Sequence, residues 1–113
     1  MAKSSKKTFR FFANELPSFS NVPQLLSEGF LTKAHRTNWD YVKDTLQVKE
    51  LSDTQRLMMV DPQTSGGLLV AADPSAQLEV QKVLERYGLQ EHIQPVGRFT
   101  AKGEFAVSVV GSR

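Results

Sequence analysis

The chain has 113 residues, 40% of them hydrophobic and 23% charged, with a net charge of +2 and no cysteine. This length suits one domain with a modest core, and the composition is that of a folded globular protein rather than a disordered one. No apolar run nears the ~20 residues that cross a bilayer, and without cysteine there is no disulfide, thiolate nucleophile or thiolate metal site.

Residues 1–7 read as a basic flexible tail. Lys3, Lys6 and Lys7 lie there, with Arg10 just beyond. They are read as a solvated tail, with no nucleic acid as partner, because no recognised nucleic-acid module accompanies them. An aromatic stretch follows in place of a signal-peptide core, so a cytoplasmic address is the default.

Thr8-Phe9-Arg10-Phe11 alternates polar and aromatic residues as a half-buried strand does, and Phe12-Ala13 extends it until Pro17. Asn21 is placed to cap a short helix in which Val22, Leu25 and Leu26 share a face, with Pro23 in the first turn and Gly29 as the stop. From Phe30 to Leu51 the pattern is less regular. Trp39–Lys43 fits either a short helix, with Asn38 as its cap, or an extended piece. Ser52-Asp53-Thr54-Gln55 is a capping box opening a helix with Leu57, Met58 and Val60.

A turn-forming stretch, Asp61-Pro62-Gln63-Thr64-Ser65-Gly66-Gly67, then leads into the apolar segment Leu68–Ala72, expected to be a buried strand. Asp73-Pro74 is a strong helix start, followed by Ala76, Val80, Val83, Leu84 and Tyr87 at helical spacing and by Gly88 as the stop. A strand is expected across His92–Phe99, at a sheet edge because of Pro95. Lys102-Gly103 turns the chain into a last strand, Glu104–Val110. The predicted fold is α+β: a mixed or antiparallel sheet with helices packed on one face.

The best candidate site is the loop of Asp61, Gln63, Thr64, Ser65, Gly66 and Gly67. It offers a carboxylate, an amide, two hydroxyls and two residues without Cβ, so it suits either a polar site or a well-made turn. It lacks the spacing and the lysine of a phosphate-binding P-loop. Ser65 has no histidine arranged around it for nucleophilic catalysis. His35 and His92 stand alone, outside any ligand spacing, so no metal site is expected. Asp40 and Asp44 read as surface decoration. Phe9, Phe11, Phe12, Trp39 and Tyr41 read as core rather than as a base-stacking platform.

The wording Asp61-Pro62-Gln63-Thr64-Ser65-Gly66-Gly67-Leu68-Leu69 closely resembles a signature near the C-terminal end of selenophosphate synthetase (selenide, water dikinase), in the aminoimidazole ribonucleotide synthetase superfamily. Glu15-Leu16-Pro17, Gly29, Asn38 and Gly97 fit the same region. The resemblance runs from about Thr8 onward and implies that residues 8–113 form part of that family's C-terminal domain.

The full enzyme, by this resemblance, converts ATP, selenide and water into selenophosphate, AMP and phosphate with magnesium, for selenocysteine biosynthesis. Its reactive Cys or Sec, its lysine and its magnesium acids belong to an N-terminal domain that this sequence does not resemble. No catalytic residue transfers; only the Asp61–Gly67 loop and, more weakly, Asn38 do so by position. The expected partners are that N-terminal catalytic domain or a full-length synthetase, with homo-oligomer formation as a further possibility, and the isolated chain is expected to be inactive. The alternative is a stand-alone interaction or regulatory module derived from the same domain. One departure is Thr32-Lys33-Ala34-His35, where many bacterial members carry a Pro-Gly-Gly-Thr-like loop. Its loss stiffens the segment and weakens any ligand role there.

Overall fold

A computed structural model describes residues 1–48 and 51–112. Its contacts separate into two compact units, one of residues 1–62 and 96–113, the other of residues 63–95. Each unit has its own internal contacts.

The first unit is built on a mixed four-stranded sheet, β1 (Thr8–Phe12), β2 (Leu46–Val48), β3 (Gly97–Thr100) and β4 (Val107–Val110), in the order β2-β4-β1-β3. β1 pairs antiparallel with β3 and parallel with β4, and β4 pairs parallel with β2. The register explains the alternation in the sequence. Phe9 and Phe11 stand opposite Phe99 and Gly97 on one side and opposite Val107 and Val109 on the other. Arg10 falls on the opposite face, beside Arg98 and Ser108. Val109 is the most deeply buried residue, with Phe12, Ala13, Leu26 and Val60 also in the core.

Gly97 is dictated by packing. A Cβ there would sit 2.5 Å from both the Arg10 carbonyl oxygen and the Phe9 ring, which lies across the glycine. Thr8 is buried as well, and its hydroxyl donates to the Phe105 carbonyl at 2.8 Å while accepting the Gly103 N–H at 2.7 Å. This one side chain ties the β3–β4 turn to the start of β1.

Four helices join this unit: α1 (Ala2–Ser5), α2 (Val22–Ser27), α3 (Lys33–Val42) and α4 (Asp53–Met59). α1 is a single turn touching β1, and α2 packs against α4. The sheet is mixed and the class α+β, as the patterning predicts. α2 ends before Gly29, whose φ of +88° suits only glycine. Asn21 precedes α2 without capping it through its side chain. α4 starts as expected, with Ser52 Oγ accepting the Gln55 N–H and the Gln55 carboxamide accepting the Ser52 N–H.

The second unit holds a short 3-10 turn (Pro74–Ala76), α5 (Gln77–Arg86) and a second 3-10 turn (Gln90–His92). Asp73 caps the first of these turns by accepting from both the N–H and the hydroxyl of Ser75, and Gly88, just beyond the end of α5, has φ +73°.

Several expectations need correction. Leu68–Ala72 is not a strand: it has no regular structure, and Leu68 is 94% exposed. A strand exists only through a neighbour that satisfies its backbone, and none of the described residues does so here. β3 starts at Gly97, beyond Pro95, because residues 90–92 coil into a 3-10 turn. It is nonetheless an edge strand, as the proline suggests. β4 starts at Val107, and Glu104–Ala106 remain in the turn. β2 is an added strand of three residues. Tyr41, expected in the core, is 88% exposed.

Candidate functional site

α3 sets up the first part of the signature. It begins at Lys33 rather than near Trp39, because the Thr32 N–H donates to His35 Nδ1 at 3.1 Å and closes the first turn. With Nδ1 accepting, a neutral imidazole carries its proton on Nε2. That nitrogen lies 3.1 Å from Asp61 Oδ1. The imidazole is 5% exposed, and Nε2 makes no well-directed hydrogen bond, so its contact with Asp61 is chiefly electrostatic.

One turn further along α3, Asn38 Nδ2 donates to the Val60 carbonyl at 2.9 Å. Asn38 is thus a mid-helix residue and not a cap. His35 and Asn38, three positions apart, face the same way on a helix and together hold the Val60–Asp61 junction where α4 ends. The C-terminal carbonyls of a helix lack internal partners, and Asn38 supplies one. His35 was the residue missed by sequence reasoning. Its partner lies far along the chain, and no short-range pattern links the two.

Asp61 and Pro62 are half-buried in the first unit, whereas Gln63, Thr64, Ser65, Gly66 and Gly67 are exposed residues of the second. Thr64 and Ser65 form a bend without regular structure. Neither glycine of the pair adopts positive φ. A Cβ on Gly66 would lie 2.6 Å from the Gln63 side-chain oxygen, and one on Gly67 would meet nothing within 4 Å. The backbone of Gly66–Ala72 makes no backbone hydrogen bond among the described residues. Leu69 and Val70 are 50% and 69% exposed.

The other candidates are dispersed. Asp40 pairs with Lys43 at 2.9 Å, which raises the Lys43 ammonium above its usual range through that hydrogen bond and the carboxylate charge. Trp39 lies under the Arg56 guanidinium, 5.8 Å from the ring centre, and Arg56 also pairs with Asp53. His92 sits beside Glu91 on the surface. Among the described residues no three of His, Asp and Glu come together as a metal site. No described helix is long and apolar enough to cross a membrane.

No protein-family model matches the chain. Curated relatives do. It is similar to selenide, water dikinases of Bdellovibrio bacteriovorus (36% identical over 84 residues, 74% of this chain and 24% of the relative) and Rhizobium meliloti (41% over 85 residues, 74% and 24%). The enzyme of the same name from Pseudomonas aeruginosa is 33% identical over 110 residues, which is 97% of this chain and 31% of the relative. The chain spans about a quarter to a third of the length of these relatives. By sequence, then, the chain resembles a part of the selenide, water dikinases.

Proposed function

We propose that this chain is the C-terminal portion of a selenophosphate synthetase, the wall of a cleft whose catalytic groups lie in the rest of the family fold. In the complete reaction ATP, selenide and water give selenophosphate, AMP and phosphate. ATP and magnesium are held by that other part, in a cytoplasmic protein, and the isolated chain is inactive. Phosphoryl transfer depends on positioning and on metal ions that neutralise oxygen charge. The described residues offer no carboxylate cluster for such an ion, so no step of the reaction is assigned to them.

The observation that carries this reading is the state of Gly66–Ala72. Three large apolar side chains face water there, on a backbone without backbone partners. Neither of the adjacent glycines has a positive φ, and Gly67 has open space where a Cβ would lie. Glycine also serves the close approach of another backbone or ligand, and exposed apolar stretches mark contact surfaces. The likeness to selenide, water dikinases supports one occupant: the portion of such an enzyme that this chain does not span.

Selenide-dependent AMP formation tests the reading. The purified chain alone is expected to form none, and a selenide, water dikinase truncated to its catalytic part is expected to gain activity when the chain is added. AMP formation by the chain alone would overturn the assignment of catalysis elsewhere.

A further inference from the structure

Four lysines from opposite ends of the sequence meet at one concavity of the first unit. Lys3, Lys6 and Lys7 approach from the N-terminus and Lys102 from the β3–β4 turn, around a cavity of about 310 Å³ that Asp44 and Glu104 also line. Four lysines against two carboxylates leave two positive charges in excess. None of the four has a carboxylate within ion-pair distance among the described residues, whereas Lys43 and Arg56 each have one.

The arrangement is fixed by specific contacts. Lys6 adopts φ 53° and ψ 40°, a left-handed conformation uncommon for a residue with a Cβ. It turns the chain back after α1, with the Lys6 N–H on the Lys3 carbonyl at 3.3 Å and the Lys7 N–H on Ala2 at 3.2 Å. Strained backbone of this kind tends to collect at ligand sites. Across the cavity, the buried Thr8 hydroxyl holds both Gly103 and Phe105, the residues flanking Glu104 in the turn that carries Lys102.

We propose that this concavity binds a small oligophosphate, either free or as the phosphate chain of a nucleotide. Ammonium groups bind phosphate oxygens as point charges through short charge-assisted hydrogen bonds. Several lysines without an ion-pair partner lining one cavity favour a ligand with several anionic oxygens. The volume lies at the lower end of the ~300–1,000 Å³ range of small-ligand pockets. Lysines from two separate stretches of chain lining one concavity, rather than a stripe along the surface, favour a compact anion over an extended polynucleotide backbone. The site is independent of the proposed catalytic partnership.

The test is calorimetric titration of the whole chain with sodium triphosphate at low, fixed ionic strength. Saturable one-to-one binding is expected. Lys6→Gln combined with Lys102→Gln should weaken it about 100-fold, on the order of tenfold per lysine. The charge-matched pair Lys33→Gln and Lys82→Gln should change it less than about twofold, because neither lysine lines the cavity. Equal affinity for ATP and triphosphate would place recognition in the phosphates alone, and tighter ATP binding would identify a nucleotide as the source. Three results would each overturn the proposal: no saturable binding of either, equal loss in the control pair, or a single-stranded oligonucleotide displacing triphosphate at equal phosphate concentration. All four substituted lysines are on the surface, so thermal unfolding of each variant should match the parent.

Discussion

His35 Nε2 stands 3.1 Å from Asp61 Oδ1, linking the first turn of α3 to the first residue of the family signature across 26 positions of sequence. The imidazole is nearly inaccessible to water while Asp61 remains half-buried. A polar group desolvated to this extent is tolerated when its nitrogens face complementary charge. Here one nitrogen accepts from Thr32 and the other faces a carboxylate.

Removing the imidazole takes this contact from Asp61 and opens space in the core. His35→Ala is expected to destabilise the chain by about 1–3 kcal/mol, read as a shift of the urea midpoint. Asn38→Ala, which frees the Val60 carbonyl, should cost about 0.5–1.5 kcal/mol. Because both side chains brace one junction, the double substitution should deviate from additivity by about 0.5 kcal/mol or more. Simple additivity would show that they act separately.

At the β1–β3 pairing the crowding is against backbone as well as side chain. Gly97→Ala places a methyl group 2.5 Å from the Arg10 carbonyl oxygen, which the sheet holds in place, and from the Phe9 ring. A loss of about 1–3 kcal/mol is expected, as for overpacking in a core. Gly67→Ala meets nothing and should leave thermal stability within about 0.5 kcal/mol of the parent.

Asp73 carries a pH dependence of known sign. The Ser75 hydroxyl and then the Ser75 N–H, both donating to its carboxylate, lower its pKa below the ordinary value of 3.8. A depressed carboxylate stabilises the fold fully above its unfolded value and loses that contribution as pH falls through the folded one. The 3-10 turn Pro74–Ala76 that leads into α5 should therefore open below pH 3.8, seen as a weakening Ser75 amide signature in NMR spectra. Asp73→Ala should lack that acid transition. Asp73 is exposed, so the effect stays local.

Leu68 and Val70 contribute little to the isolated chain, being 94% and 69% exposed. Leu68→Ser with Val70→Ser should leave the unfolding midpoint within about 0.5 kcal/mol of the parent. The same pair should reduce concentration-dependent association in sedimentation experiments, since a β-prone apolar stretch without charge is prone to associate. Unchanged association would place the sticky surface elsewhere.

Much of the fold was legible because its signals are local. The Ser52–Gln55 capping box, the Asp73-Pro74 start, the left-handed glycines Gly29 and Gly88 and the alternation in β1 and β4 each work within a few residues. Other features depend on distant partners. β2 is three residues long, too short for a period, and exists because β4 lies beside it. α3 opens early because a histidine takes the place that Glu or Gln fills in an ordinary capping box. The His35–Asp61 contact and the meeting of Lys102 with the N-terminal lysines arise only from the folded topology. Leu68–Ala72 shows the reverse: a sequence that reads as a buried strand, lying exposed without a neighbour to make it one.

Hydrogen exchange at Gly66–Ala72 tests the central claim most directly. These amides should exchange near the unprotected rate in the isolated chain. On mixing with a selenide, water dikinase truncated to its catalytic part, they should slow by at least about tenfold, an opening free energy of about 1.4 kcal/mol or more. Rates in this segment that stay the same in a demonstrated complex would contradict the account, because the partner would then be docking elsewhere.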